Sequence, residues 1–413
     1  MASAEIGPSR MRLVGLLGAL CMLGPLSIDM YLPAFPQIAG ELGASAPQVQ
    51  LSLTTFIVGL ALGQLFVGPL SDSYGRRKPL LIGLTVYIAF SLLCALSPSA
   101  YALAGLRLIQ AFGVAAGFVV ATAVARDMFS GLAMARFMSL LMLVNGLAPV
   151  IAPVIGGQVL RLTSWRGTFI VLALIGAVLL VVLLIGLPET HPADRRVQAN
   201  LLGTLRTFGG LLADRYFLGY ALAASFALGA LFAYVSGASF VLQNVFGLSP
   251  QEFSLVFGVN SLGILLAGLL NTSLTGKIMP RDLLKIGLGM AALGGVGLLT
   301  AGLLGAGLPL FLPPLFLITT SVGLLLPNAA TLAMSRHPEA AGSASALLGV
   351  MQFLVGGLVA PLVGAAGTSS VVPMATVMAC MTMSGVLAFA LLTRGDKGIT
   401  AETDDIPAAA VAH

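Results

Sequence analysis

Charged residues are scarce in this sequence. Asp, Glu, Lys and Arg together make up 8% of its 413 residues, whereas a soluble domain carries about 25%. Hydrophobic residues account for 58% of the chain, and the mean hydropathy is +1.03. This composition excludes an ordinary soluble fold, and the long apolar runs indicate a membrane protein.

The residues on which most enzymes and ATPases depend are also few. The chain has 3 Cys and 3 His, and their spacing matches no metal site or catalytic cluster, which disfavours a membrane enzyme. No phosphate-binding loop of the form G-x-x-x-x-G-K-[ST] is present, which disfavours ATP as the energy source. The net charge of +5 comes without a basic stripe, so no nucleic-acid partner is expected. We predict no cofactor, no metal and no catalytic residue.

Twelve apolar stretches, bounded by Gly, Pro or charged residues, predict twelve membrane-spanning helices. About 20 apolar residues cross the hydrocarbon core of a bilayer, and a helix satisfies its own backbone hydrogen bonds there. The first stretch follows Arg10 and Arg12 as a signal peptide would, but no small-residue cleavage pattern follows it, so we expect an uncleaved span. The predicted spans are 13–34, 51–70, 79–97, 101–124, 136–160, 167–187, 216–240, 253–274, 283–304, 309–333, 342–366 and 371–393.

The basic residues predict the orientation of these spans. Of the 20 Lys and Arg residues, 3 lie elsewhere (Arg107, Arg161 and Arg166), so the other 17 fall on one side of the membrane. The positive-inside rule places that side, with both termini, in the cytoplasm. We therefore expect a multi-pass membrane protein with its basic loops in the cytoplasm.

A long polar segment separates two halves of six spans each. Ala152-Pro153-Val154-Ile155-Gly156 in span 5 reappears as Ala360-Pro361-Leu362-Val363-Gly364 in span 11, six spans later. Repeated halves around a site at the bilayer midplane are typical of secondary transporters. The predicted organisation is a cytoplasmic N-terminus (1–12), an N-terminal half (13–187), a cytoplasmic central loop (188–215), a C-terminal half (216–393) and a cytoplasmic tail (394–413).

Asp29 is the one acidic residue inside a predicted span. A charged group at the centre of a bilayer costs about 2.5–3.5 kcal/mol on insertion scales, so it is a functional candidate by default. Arg107 on span 4 lies about as many residues from the outer surface as Asp29 does, so at about 1.5 Å per residue the two charges are expected at similar depth. They either handle a proton in a shared cavity or form a static ion pair that holds two helices together.

The loop between spans 2 and 3 carries the sharpest local motif. Gly68 and Gly75 allow a tight turn between two antiparallel helices. Asp72 lies near the start of span 3, and Arg76 and Arg77 offer bidentate hydrogen bonds that can be made and broken. A conformational latch and an ordinary positive-inside loop both fit this pattern.

That loop resembles the signature G-x-L-x-D-x-x-G-R-R of the major facilitator superfamily, and other segments resemble the same family. The stretch from Leu103 to Gly113, with Arg107, resembles its span-4 arginine motif, and Pro188-Glu189-Thr190 follows span 6 as in that family. Leu26-Ser27-Ile28-Asp29-Met30-Tyr31-Leu32-Pro33-Ala34-Phe35-Pro36 and Ala125-Arg126-Asp127 resemble the bicyclomycin and chloramphenicol resistance exporters, the Bcr/CflA branch.

Span 5 resembles the motif of drug/proton antiporters, which in that family keeps antiport tightly coupled. The residues that carry the resemblance are Gly146, Pro149, Pro153, Gly156 and Gly157. The sequence departs from the usual pattern in having alanine where a glycine commonly precedes the second proline. A passive packing kink at the two prolines is the alternative interpretation.

The resemblance implies an all-α membrane protein whose twelve transmembrane helices form two pseudo-symmetric halves, the major facilitator fold, with spans 1, 4, 7 and 10 around a central cavity. Asp29 and Arg107 are then the candidate proton-coupling residues. The candidate cavity residues are Met22, Gln110, Phe226, Tyr234 and Asn328. The aromatic residues equally fit a core or lipid-facing position, and the asparagine equally fits a hydrogen bond between helices.

We therefore expect a proton-coupled secondary transporter that exports small amphipathic drugs or antibiotics by alternating access. The proton gradient would be its energy source, and we expect it to act as a monomer. The alternative within transport is a carrier of a native metabolite such as an amino acid, sugar or siderophore. The repeated halves and the lone intramembrane carboxylate argue against a non-transporting receptor.

Overall fold

The structure, a computed structural model, describes residues 8–128, 131–190, 201–337, 340–365, 367 and 370–396. This part of the chain is helical, with one isolated β-bridge between Thr275 and Ile278. The helices are α1 (Pro8–Asp29), α2 (Phe35–Glu41), α3 (Ala46–Tyr74), α4 (Arg77–Ala95), α5 (Ala100–Met128), α6 (Gly131–Leu162), α7 (Trp165–Gly186), α8 (Leu201–Ala213), α9 (Arg215–Phe240), α10 (Pro250–Leu274), α11 (Pro280–Leu303), α12 (Leu308–Ser335), α13 (Ala341–Ala365) and α14 (Val372–Leu392).

Twelve long helices correspond to the twelve predicted spans, in the order α1, α3–α7 and α9–α14. Over the described residues, eleven are long and apolar enough to cross a membrane, and α6 adds the apolar stretch Gly146–Leu162. Large apolar side chains such as Ile82, Leu174 and Val178 remain exposed on these helices, as expected of surfaces that contact lipid. The expected all-α membrane fold is confirmed.

Local sequence signals start equivalent helices of the two halves in the same way. Ser45 and Gln48 form a capping box at the start of α3, and Ser249 and Glu252 form one at the start of α10. In each box the side chains satisfy backbone N–H groups that the first helical turn leaves without partners. These two helices are second in their respective halves, so the shared cap agrees with the internal repeat.

The first span is broken where a continuous helix was predicted. Instead of running over 13–34, α1 ends at Asp29 and is followed by a 3-10 turn (Leu32–Ala34) and the short helix α2. Pro33 and Pro36 explain the break, because each lacks the backbone N–H that a continuous helix would donate to the carbonyl four residues earlier, at Asp29 and Leu32. Asp29 therefore lies at the end of a helix rather than within one.

The predicted central loop contains a helix that the polar composition of 188–215 did not reveal. Helix α8 packs on the second half through Leu211, which is 3% exposed and belongs to the apolar cluster formed by α9, α11, α12 and α13. Of the four arginines of this loop, Arg195 and Arg196 lie outside the described residues, as do the side chains of Arg10 and Arg12, whereas Arg206 is exposed on α8 and Arg215 begins α9.

Helices within a half approach one another closely at glycines. At Gly113 on α5, an added Cβ atom would lie 2.5 Å from the carbonyl oxygen of Gly83 on α4. Membrane helices gain little from the hydrophobic effect between themselves, so small residues that permit such contact favour their association.

Candidate functional site

Asp29 is buried at the end of α1, with 5% of its surface exposed. It forms no ion pair and no side-chain hydrogen bond with any residue that the structure describes. A buried carboxylate without a counterion is unusual, and it is the group expected to take up a proton.

Arg107 is fully buried on α5, where aromatic rings rather than a carboxylate surround its charge. Its guanidinium carbon lies 3.9 Å from the ring centre of Phe56 and 4.4 Å from that of Tyr31. It donates hydrogen bonds to the Gln110 side-chain oxygen (2.7 Å) and to the backbone oxygen of Ser27 (2.8 Å). Cation–π contacts of this kind are worth about 2 kcal/mol when they are desolvated.

The contact with Ser27, two residues before Asp29, places Arg107 and Asp29 at the same level, as predicted. They are not paired in this conformation, so the alternative of a static ion pair does not describe this structure. The guanidinium of Arg107 is instead directed to the ring of Phe56 and the backbone oxygen of Ser27, both in the first half.

Gln110 occupies a different position from the one predicted. It shares the face of Arg107, but it is fully buried inside the first half and its amide nitrogen donates to the Ser91 hydroxyl (2.6 Å). Because its oxygen is taken by Arg107, both ends of the amide have protein partners. In this conformation Gln110 therefore does not line an open cavity.

Tyr234 on α9 joins three helices of the second half. Its ring stacks on Phe257 of α10, with 5.2 Å between ring centres and 16° between planes. Its hydroxyl accepts a hydrogen bond from the Asn260 amide nitrogen (3.2 Å), and the Asn260 oxygen accepts one from Thr319 of α12 (3.0 Å).

The other predicted cavity residues are dispersed. Phe226 lies toward α14, where its Cβ is 3.6 Å from the position of a Cβ added to Gly385, so it does not share a wall with Tyr234. The side-chain nitrogen of Asn328 on α12 donates a hydrogen bond to the side-chain oxygen of Asn271 on α10. This contact matches the alternative interpretation of Asn328, a hydrogen bond between helices. Met22 is half-buried on α1.

A cavity of about 380 Å³ lies between α10 and α12, away from most of the predicted residues. Exposed apolar side chains surround it, and Asn260 contributes its polar atom. The lining residues are Leu255, Val256, Val259, Asn260, Leu312, Pro313 and Phe316.

The hydrogen bonds between the two halves lie at the outer ends of their helices, the ends opposite to the basic loops. Four hydrogen bonds between described residues connect the halves, and all four lie at this level. Two of them hold the link after α1, because Ser239 donates to the Leu32 carbonyl (2.6 Å) and Gln243 to the Pro33 carbonyl (3.1 Å). The others are Gln50 to the Ser236 carbonyl (3.0 Å) and Gln251 to the Gly157 carbonyl (3.2 Å).

The span-5 motif lies at this junction. On α6, a Cβ added at Gly146 or Gly157 would meet α10, at 2.6 Å from Leu265 and 2.8 Å from Ser254 respectively. A Cβ at Gly156 would overlap the carbonyl oxygen of Met30. Pro149 and Pro153 lie between these glycines inside the same continuous helix. The motif thus brings α6 into backbone contact with both the broken end of α1 and the second half.

At the inner ends, Arg76 ties three helices of the first half together. It is 7% exposed and hydrogen-bonds Asp72, Ser71 (2.9 Å) and Asp127 (2.9 Å), while its backbone N–H donates to Glu189 (2.8 Å). Burial alone would lower the pKa of Arg76, but the hydrogen bonds and charges of Asp127 and Asp72 outweigh it and raise that pKa above its ordinary value. The arginine therefore stays charged and holds this cluster.

The rest of the loop motif completes the turn. Gly75 has φ +90°, a conformation that a side chain disfavours. Arg77 caps the last turn of α7 by donating to the Leu184 carbonyl (2.9 Å), and its N–H donates to Glu189 (3.1 Å). Gly68 is not closely packed, because a Cβ atom added to it would lie 4.0 Å from the Val119 side chain, an ordinary van der Waals distance. Asp127 and Glu189 were visible in the sequence as parts of family motifs, but not as partners of Arg76.

We expect Asp72→Asn to lower transport while leaving folding near normal, since 54% of the Asp72 side chain is exposed and exposed ion pairs contribute about 0–1 kcal/mol. Asp127→Asn should cost more, about 1–2 kcal/mol in the free energy of unfolding, because only 20% of its side chain is exposed. Thermal unfolding and transport of both variants check this order. Wild-type transport by Asp72→Asn would mean that the loop is only a topology signal.

A second inner cluster, in the second half, was missed at the sequence level. Asp214 caps the start of α9 and contacts Arg336 (3.2 Å) and His337 (3.0 Å), which follow α12. Burial alone would raise the pKa of Asp214, but the Tyr216 backbone N–H, His337 and Arg336 together lower it. Its contribution to stability is therefore present above its ordinary pKa and is lost as pH falls through the lowered value.

Two six-helix halves that carry an internal repeat, with a buried carboxylate that forms no ion pair with the described residues, define the class of membrane carriers built from repeats. Comparison with known proteins gives the family. Residues 17–361 match the model of the Major Facilitator Superfamily, so the chain belongs to that family, as a transporter of small molecules rather than an enzyme.

Relatives confirm the resemblance to the bicyclomycin resistance branch. The chain is 44% identical over 394 residues to "Uncharacterized MFS-type transporter YdgK" of Bacillus subtilis, covering 95% of this chain and 98% of that one. It is 35% identical over 380 residues to "Bicyclomycin resistance protein homolog" of Haemophilus influenzae, covering 91% and 95%. "Multidrug resistance protein MdtL" of Salmonella paratyphi B is 27% identical over 278 residues, covering 67% and 70%.

Solved structures confirm the fold. A bacterial homologue of the human lysosomal transporter Spinster, in an inward-facing and unoccupied conformation, superposes with a TM-score of 0.74 at 16% identity, covering 93% of this chain and 96% of that one. A D-xylose–proton symporter superposes with a TM-score of 0.71 at 16% identity, covering 92% and 97%.

Proposed function

We propose that this protein exports small amphipathic drugs across the cytoplasmic membrane in exchange for protons, by alternating access. In this proposal the proton gradient is the energy source, both termini are cytoplasmic and the monomer is the working unit. The names of the bicyclomycin and multidrug resistance relatives support the substrate class. The burial of Asp29 without a counterion among the described residues is the observation that supports proton coupling.

The chemistry of coupling follows from the surroundings of Asp29. In an apolar site the charged carboxylate is disfavoured, so the group keeps its proton until water, a cationic substrate or a nearby positive charge reaches it. Arg107 lies at the same level but is held by aromatic rings and by Gln110 in this conformation. A rearrangement that releases Arg107 toward Asp29 would favour loss of the proton.

Alternating access fits the location of the contacts between the halves. The described hydrogen bonds between halves lie at the outer ends, whereas the ion pairs at the inner ends connect helices of the same half. In this proposal the conformation is closed toward the outside, and opening it outward breaks those four hydrogen bonds.

We expect Gln243→Leu to increase the population open to the outside by about fivefold, since one hydrogen bond contributes a net of about 1 kcal/mol. Spin labels on Cys replacing Gly40 in α2 and Asn244 just after α9, which are exposed at the outer ends of the two halves, would report the distance. Exposed Cys380 is first changed to Ser. Gln37→Leu is the matched control, because Gln37 bonds Glu41 within its own helix (2.9 Å). An unchanged distance distribution in Gln243→Leu would contradict the role of this contact.

A drug-susceptibility panel tests the substrate class directly. Expression in an efflux-deficient bacterial host should raise tolerance to bicyclomycin or other amphipathic antibiotics, and Asp29→Asn should remove the gain. No change for any drug in the panel, together with proton-dependent movement of an amino acid, sugar or siderophore, would instead support a metabolite carrier.

A further inference from the structure

The sequence repeat shared by spans 5 and 11 lies at equivalent places in the two halves. Gly156 and Gly157 are on α6 and Gly364 is on α13, and each of these helices is the fifth long helix of its half. Helix α6 packs on α10, and α13 packs on α3, in each case the second long helix of the other half. The halves therefore meet at a first interface, α6 with α10, and at a second interface, α3 with α13.

At both interfaces a polar side chain of the second helix lies against a glycine of the fifth. A Cβ atom added to Gly157 would lie 2.8 Å from the Ser254 hydroxyl oxygen, and one added to Gly364 would overlap the side-chain oxygen of Gln50. Ser254 and Gln50 each follow the capping serine of their own helix by five residues. These two polar residues thus occupy equivalent positions in the two halves.

Gln50 connects three helices at the second interface. It is fully buried, and its amide nitrogen donates a hydrogen bond to the Ser236 carbonyl of α9 (3.0 Å). A carbonyl can only accept, so the amide oxygen, and not the NH₂ group, is the atom that lies against Gly364. The Ser236 hydroxyl is within hydrogen-bond distance of the Ala360 carbonyl of α13 (3.3 Å). Gln50 therefore links α3 of the first half to α9 and α13 of the second.

The second interface is tightest at its outer end. Gly364, Gly357 and Gly349 follow α13 from its outer end toward its inner end and face α3 in turn. An added Cβ atom would overlap α3 at Gly364, lie 3.3 Å from it at Gly357 and lie 4.0 Å from it at Gly349. The gap between the two helices thus widens toward the inner end, as expected of halves that are closed at the outside and apart at the inside.

We propose that the span-11 repeat forms a second outer gate, in which Gln50 and Gly364 are positioning residues. The amide lies against the glycine when the halves close toward the outside, and it leaves the glycine when they open. This inference rests on the alternating access of the proposed function, and it adds a gate at α3 and α13 to the contact made by the span-5 motif.

Two gates have a consequence for the transport cycle. One hydrogen bond between the halves starts near the beginning of the second helix at each interface, from Gln251 at the first and from Gln50 at the second. Because the halves move as packed bodies, opening toward the outside must loosen both interfaces together. Variants at either interface are therefore expected to shift the same equilibrium.

Distances between spin labels at the outer ends test this inference without substrate or a proton gradient. Purified full-length protein in lipid vesicles carries labels on Cys replacing Gly40 and Asn244, with Cys380 changed to Ser. Gln50→Ala removes the hydrogen bond between the halves and should raise the population open to the outside about fivefold. Gly364→Ala places a methyl group where the amide lies and should raise that population about tenfold.

A double variant shows whether the methyl group acts through the amide. Removal of the Gln50 side chain leaves room for the methyl group, so Gln50→Ala combined with Gly364→Ala should open the outer end about as much as Gln50→Ala alone. Gly289→Ala on α11 is the matched control, because no atom outside the helix backbone lies within 4 Å of the added Cβ. Its distance distribution should equal that of the wild type.

Unchanged distances in both single variants, or a double variant whose opening is the product of the two single effects, would overturn the inference. If Gly364→Ala does not fold, Gln50→Ala decides alone, since opening supports the second gate and an unchanged distance overturns it. If these variants have no effect while Gln243→Leu opens the outer end, this inference alone fails. If Gln243→Leu has no effect either, it is the closed outer end of the proposed function that fails.

Discussion

Asp29→Asn is expected to abolish export that is driven uphill by the proton gradient, while downhill exchange of a neutral substrate continues. The amide is close to the shape of the protonated acid but cannot release a proton. Asp29 is the one acidic residue in the predicted spans, so no nearby carboxylate can replace it. Transport into inverted vesicles, with and without an imposed pH gradient, measures the difference. The variant should reach the same accumulation in both conditions.

Asp282→Asn provides the matched control for this change. Asp282 is on the second half, in the first turn of α11, and its exposed side chain pairs with Lys285 of the same helix (2.8 Å). It should transport like the wild type, since exposed pairs of this kind contribute little. Uphill export at the wild-type level in Asp29→Asn would rule out the coupling role of Asp29.

Gly156→Ala is expected to open the outer junction and reduce transport strongly. The new methyl group would overlap the carbonyl oxygen of Met30, which is backbone and cannot rotate away. Overpacking of this kind costs about 1–3 kcal/mol unless the two segments separate. The variant should therefore favour the conformation open to the outside, with longer distances between spin labels at Gly40 and Asn244 and a lower melting temperature.

Gly105→Ala on α5 makes the same change where no atom outside the helix backbone lies within 4 Å of the added Cβ. Alanine favours a helix over glycine by about 1 kcal/mol, so this variant should be neutral or slightly stabilised. Gly156→Ala is thus predicted to lower the melting temperature, and Gly105→Ala to leave it unchanged or raise it slightly. A stable, fully active Gly156→Ala would show that close contact between α6 and the end of α1 is not required.

Much of the architecture followed from the sequence because it depends on local composition. Apolar length predicts each span, and basic loops predict orientation, without knowledge of which helices touch. The pairing of Asp72 with Arg76 could also be predicted from the sequence, because the two residues are four apart at the end of a helix. The family motifs marked Asp127 and Glu189 for attention without showing that both contact Arg76.

The candidate site was less predictable, because it depends on which helix faces which side chain. Helical periodicity places Gln110 beside Arg107, but it does not reveal that Ser91 takes the other end of the amide. Eight residues along one helix put Phe226 and Tyr234 roughly on one face, yet α14 contacts one and α10 the other. The aromatic enclosure of Arg107 combines Phe56 on α3 with Tyr31 in the link after α1, which are separated in sequence and meet only in three dimensions.

Proton release on drug binding tests the central claim most directly. Purified protein in weakly buffered detergent receives a drug to which it confers resistance, and a pH indicator records the protons that appear. The wild type should release protons on binding, with the largest yield where Asp29 is protonated before the drug is added. Asp29→Asn should bind the drug and release none. An equal release from Asp29→Asn would contradict the claim that this carboxylate couples protons to export.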